Sequence, residues 1–135
     1  MRLSCSYSIL ARWQFLGLLT ARDRRAADRD RLLIARLDGI ARRHARWGGL
    51  TDADKAAAVA ELRQVAGDRC DLLAEVAGLA LGTAEGKGQE YQARGQAIAE
   101  LCRMAGADES LIPQWRQIGK ERAAMAGRPT FSQPR

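Results

Sequence analysis

Apolar residues return every three or four positions along most of the chain, and the first long run carries a second rhythm over that one. Leu33, Leu37, Ile40, His44 and Trp47 take the a and d places of a heptad, while Arg22, Arg29, Arg36 and Arg43 recur beside them at steps of seven, at g. The pattern predicts a helix over 22–47 with one apolar seam and a cationic flank, a shape suited to lying against something both apolar and acidic. Asp28, Asp30 and Asp38 are interleaved among the arginines, so that Asp38 and Arg42 stand four apart on one face. The seam breaks at Asp30, which leaves the N-terminal turns with charge but little apolar surface to bury.

The punctuation further along predicts four more helices. Gly48 and Gly49 end the first, and Thr51 caps the second, with Asp54 completing a shortened capping box and Asp52 favourably placed at the helix dipole. Ala56, Val59, Leu62 and Val65 form its expected apolar face. Gly67 closes it and Asp68 is expected to cap a third helix, whose Leu72, Leu73, Val76, Leu79 and Ala80 face inward until Gly82. The glycines between Gly82 and Gly88 predict a loop, followed by a fourth helix from Gln89 to Ala105 that carries Tyr91, Ile98, Leu101 and Cys102 and ends at Gly106. Pro113 suits the first turn of a fifth helix with Trp115, Ile118 and Met125, ended by Gly127 and Pro129. No stretch alternates apolar with polar residues long enough for a strand. The expected architecture is an all-α bundle of about five helices with a long basic first helix, and a core of Leu33, Leu37, Ile40, Leu62, Val65, Leu72, Leu73, Val76, Leu101 and Trp115.

At 135 residues the chain is the size of one domain. The helical pattern occupies 22–127. Residues 1–21 read as an apolar, acid-free extension foreign to the bundle, and 128–135 as a short basic tail. In the extension Arg12 interrupts the apolar run and Leu19 is bulky where a signal cleavage site needs a small residue, which argues against secretion. Ile9, Leu10, Trp13 and Leu16 could form an interfacial amphipathic anchor, but no run is long and apolar enough to span a membrane. An unselected stretch upstream of the true start is the plainer expectation.

The net charge of +6 is unevenly spread: +5 falls in 22–47, whereas 48–90 carries −4. Clustered arginine is the electrostatic footprint of phosphate binding. However, the chain has 19 Arg against 3 Lys and no Asn, as GC-rich coding would produce, so part of the excess reflects codon usage. Cys5, Cys70 and Cys102 make no Cys-x-x-Cys pair, and His44 is the only histidine. That leaves no zinc set, no expected cofactor, and a chemistry at home in a reducing cytoplasm.

Three motifs bear on function. GTAEGKG (82–88) lacks both the leading glycine and the Ser or Thr of a phosphate-binding loop, and reads as a linker. His44 stands among Arg42, Arg43 and Arg46 with no assignable nucleophile, and no pair of carboxylates stands out as acid and base, so no enzyme or small-molecule substrate is expected. AIAELCRMAGADESLIPQWRQIGK (97–120) resembles the phage-repressor type of helix-turn-helix: Leu101, Cys102, Ala105, Gly106, Ile112 and Trp115 match its buried pattern, and Arg116, Lys120 and Arg122 follow where phosphates would lie. Pro113 departs from that pattern by falling inside the expected reading helix.

Over IARLDGIARRHARWGGLTDADKAAAVAELRQVAGDRCDLLAEVAG (34–78) and LCRMAGADESLIPQWRQIGKERA (101–123) the chain resembles a group of small actinobacterial helical proteins. The resemblance implies a cytoplasmic, helical protein associated with accessory or mobile-element genes, and brings no activity or site residue with it. The leading expectation is therefore a non-enzymatic interaction protein whose first helix either packs on the acidic middle of its own chain or engages a protein partner, or a second copy of itself, through Arg22, Arg29, Arg36, Arg43 and Trp47. The alternative is a DNA-binding accessory regulator that uses Arg116, Lys120 and Arg122.

Overall fold

One helix of the chain is buried almost all round, and the rest are arranged about it. The computed structural model describes residues 21–46 and 49–127, with side chains from Asp23 onward. The expectations for residues 1–20, for the side chain of Arg22, for Trp47 and for 128–135 lie outside the described residues. Five α-helices follow one another: α1 (Ala21–His44), α2 (Asp52–Ala66), α3 (Cys70–Ala84), α4 (Gln89–Met104) and α5 (Ile112–Ala126), with a short 3-10 turn (Glu109–Leu111) leading into the last. No strand occurs among the described residues. This is the all-α bundle of five helices with a long first helix that the periodicity predicts.

α3 is the central element because its composition leaves it no polar face. Leu72, Leu73, Val76, Ala77, Ala80 and Leu81 are all buried, and α1, α2, α4 and α5 each pack against it. α5 lies along α3, and α1 rests across α2, α3 and α4. Alanine does much of the filling: Ala41, Ala58, Ala74, Ala77 and Ala99 are fully buried. Small side chains allow close helix packing, and the inventory of few aromatics favours it.

The buried stripe of α1 is turned slightly from the expected seam. It runs through Ala27, Leu37, Ala41 and Ala45, while Leu33 and Ile40 pack against its edge and His44 is half-buried. The reason is geometric, since a straight helix repeats every 3.6 residues rather than 3.5 and the contact line drifts off a strict heptad. α2 shows a similar rotation: Ala58, Val59, Leu62 and Ala66 are buried, Ala56 is exposed and Val65 is only partly covered.

The helix ends follow local chemistry. Thr51 Oγ1 accepts from the Asp54 amide at 3.1 Å and Asp54 Oδ2 accepts from the Thr51 amide at 3.2 Å, the expected capping box. These hydrogen bonds hold the Asp54 carboxyl below its ordinary pKa. Asp68 does not cap α3. Its carbonyl accepts from the Cys70 amide in a tight turn and Arg69 takes the N-cap position, which frees the Arg69 side chain for another task. α3 also does not stop at Gly82 but continues to Ala84, so the loop expected over 82–88 is confined to 85–88. At the C-terminal end of α1, Arg94 Nη2 donates to the Arg42 carbonyl at 3.0 Å, a cation supplied by α4 where the helix dipole favours one.

Candidate functional site

α1 faces solvent along a stripe made of Arg25, Arg29, Leu32, Arg36, Gly39 and Arg43, all exposed. Leu32 is 69 % exposed, an apolar side chain set between Arg29 and Arg36. Beside the stripe, a groove of about 700 Å³ runs between α1 and α2. Arg36, Gly39, Ile40 and Arg43 line one wall, and Glu61, Gln64 and Val65 the other.

The arginines of this face differ in what they already hold. Arg43 is paired with Glu61, and His44 Nε2 lies 2.8 Å from the other oxygen of the same carboxylate. The hydrogen bond to His44 and the charge of Arg43 outweigh desolvation and keep the Glu61 carboxyl below its ordinary range. Arg29 and Arg36 have no carboxylate within 4 Å among the described residues. Two acids of the middle segment are committed elsewhere: Asp71 is bound by Arg69 and Glu85 by Arg116. Of the three arginines Arg29, Arg36 and Arg43, only the last meets a carboxylate among the described residues.

Asp30, where the apolar seam breaks, turns inward. The Arg69 guanidinium donates to both Asp30 oxygens at 2.9 Å, and to both Asp71 oxygens at 3.1 and 3.0 Å. This fork ties the N-terminal half of α1 to the start of α3 in a site where Asp71 is only 1 % exposed. The two carboxylates more than offset the burial of Arg69 and hold its pKa above the ordinary value. Sequence reasoning missed this clamp, although an aspartate on the inward face of α1 and a basic-acidic pair at the head of the most apolar helix were both in view.

One turn along α3, Glu75 is half-buried with its carboxyl pushed up to about 7, chiefly by desolvation. Arg122 of α5 opposes the shift, Asp71 and Asp30 add to it, and Arg69 opposes it. Because the folded form holds this proton more tightly than the unfolded chain, where the pKa is near 4.5, stability falls as pH rises from about 4.5 to 7 and is level above that. The loss is on the order of 3 kcal/mol. Glu75→Gln should flatten this part of the profile in urea titrations at a series of pH values, and an unchanged slope would place the proton elsewhere.

The other basic cluster is engaged by the chain itself. Arg116 Nε donates to Glu85 at 2.8 Å and Lys120 Nζ lies 3.9 Å from the same carboxylate, while Arg122 is exposed. The Arg116 hydrogen bond holds Glu85 below its ordinary pKa. Leu101, Cys102, Ala105, Ile112 and Trp115 are buried as the helix-turn-helix resemblance implies, and Gly106 turns the chain at φ +112°. Yet α5 docks along α3 rather than on α4, so the two helices do not form the tight pair on which that motif depends. Pro113 does not break a helix, because α5 begins at Ile112 and the proline sits in its first turn, where no N–H is required.

Cys102 is fully buried and its thiol is pushed up to about 12 by desolvation, which suits a packing role and not a nucleophile. No group of three His, Cys, Asp or Glu suited to a metal ion occurs among the described residues, and none of their helices is long and apolar enough to cross a membrane. No family model, curated protein or solved structure matches the chain.

Proposed function

We propose that the chain is a non-enzymatic interaction protein of the cytoplasm that engages a protein partner through the outer face of α1. The observation that carries this reading is the state of that face: Arg29 and Arg36 stand in solvent with no carboxylate within 4 Å among the described residues, on either side of an exposed Leu32. On the same helix Arg31 is matched by Asp28 and Arg42 by Asp38, which leaves Arg29 and Arg36 as charges available to a partner. Leu32 offers a partner an apolar contact between the two cations. Cys102, held as a buried thiol, suits a reducing compartment.

A photo-crosslinking residue in place of Leu32 tests the reading directly. In the native host it should trap a discrete protein species, and the same residue in place of Gln117, exposed on α5, should not. Equal trapping at both positions, or none at position 32, would refute it.

A further inference from the structure

We infer that the partner segment on α1 is an acidic amphipathic helix, running alongside α1 with carboxylates at seven-residue intervals and an apolar side chain seated over Gly39. This rests on the reading of the α1 face as a protein-binding surface, and adds what binds there.

The spacing of the charges comes first. Arg29, Arg36 and Arg43 are exposed and cover about 21 Å of helix axis, at about 1.5 Å per residue. Residues seven apart drift slowly round a straight helix, by about 20° per step, so the three guanidinium groups follow the shallow winding path that a second helix takes when packed along the first. A partner helix in that position meets each arginine with the same heptad place, and a carboxylate there finds Arg29 and Arg36 without competitors among the described residues. Arg43 is different, because it already shares Glu61 with His44.

The apolar part of the face has a matching form. Leu32 projects as a knob between two arginines, and seven residues on Gly39 offers the opposite shape. A Cβ added at Gly39 would meet nothing within 4 Å, so the position is open. Ile40 and Val65, partly buried at the floor of the adjoining groove, give an incoming apolar side chain something to touch. A knob and a gap one heptad apart, flanked by cations, is the complement of a helix with alternating apolar and acidic places.

Other occupants fit less well. A second copy offers no complementary stripe, since the exposed acids without an ion pair among the described residues, Asp52, Asp68, Glu90 and Glu121, lie on four different segments. Nucleic acid would make no use of Leu32 or the apolar floor, and would meet the Glu61 carboxylate within the groove.

The test is fluorescence anisotropy on the full chain with three labelled probes: a three-heptad synthetic helix with Leu at a and d and Glu at e and g, the same peptide with every Glu replaced by Gln, and a 20-base-pair duplex. The acidic peptide should bind and the neutral one should not. Arg29→Glu and Arg36→Glu should each weaken binding by about five- to tenfold at low salt, with Arg43→Glu weaker in effect. Gly39→Leu, which fills the gap, should weaken binding without lowering the melting temperature. Equal binding of acidic and neutral peptides, tighter binding of the duplex, or indifference to both Arg29→Glu and Arg36→Glu would overturn the inference. A segment crosslinked at position 32 that lacks acidic residues would also overturn it, while leaving the protein-binding face intact.

Discussion

Replacing Gly82 with alanine is expected to destabilise the protein by about 3 kcal/mol or more, a large effect for one added methyl group. A Cβ at that position would run into the Arg116 carbonyl oxygen and stand 2.7 Å from the Lys120 amide. Gly78, one turn earlier on the same face of α3, is confined in the same way, with the Ile112 carbonyl 2.7 Å and the Arg116 amide 2.9 Å from its own added Cβ. From the other side, a Cβ on Gly119 would lie 2.8 Å from the Leu79 carbonyl. The obstacles are backbone atoms and, at Gly78, also the Trp115 Cβ, none of which can step aside as the far end of a flexible side chain would, so α5 must lift off α3. The control is Gly39→Ala on the open face of α1, where the better helix former should be neutral or stabilise by about 0.5–1 kcal/mol. Denaturant unfolding of both variants reads the contrast, and equal effects would mean that the α3–α5 crossing is looser than described.

Asp71→Ala should cost about 3–5 kcal/mol, because it leaves a buried guanidinium with half of its partners. Arg69 is 18 % exposed in its side chain and Asp30 is 14 %, so water can compensate only in part for the missing carboxylate. The charge is the cause and not the volume, which gives a second variant its use. Changing Asp30, Arg69 and Asp71 together to Leu, Met and Leu removes every charge while filling similar space, and should recover most of the lost stability. Chemical denaturation of the single and triple variants decides the matter. If the triple variant were as unstable as Asp71→Ala, the clamp would be acting through shape.

The helices were readable from the sequence because their ends carry their own chemistry: Thr51 with Asp54, Gly67, Gly106 and Pro113 each act within a few residues of where they stand. The orientation of α1 was less readable. Its seam was marked by Leu33, Leu37 and Ile40, but the buried line continues from Leu37 through Ala41 and Ala45 while Leu33 and Ile40 sit at its edge, and alanine leaves little trace in a hydrophobic pattern. Gly82 was misread because a glycine that ends a helix and one that lets two helices touch look alike until the second helix is in place. The pairing of Arg69 with Asp30 joins residues 39 apart in sequence, and only topology brings them together. At the candidate site the stripe was legible from its period of seven. That Arg43 is satisfied while Arg29 and Arg36 are not depended on where α2 puts Glu61.

That division among the arginines is the centre of the functional reading, and the double variant Arg29→Glu, Arg36→Glu probes it most directly when thermal unfolding and capture of the crosslink-identified partner are measured on the same preparation. Exposed groups outside the fold's own contacts should leave stability within about 0.5 kcal/mol, a shift in melting temperature of about 2 °C or less, while capture is lost. A melting temperature lowered by several degrees with capture intact would show that the arginines serve the bundle and not a partner.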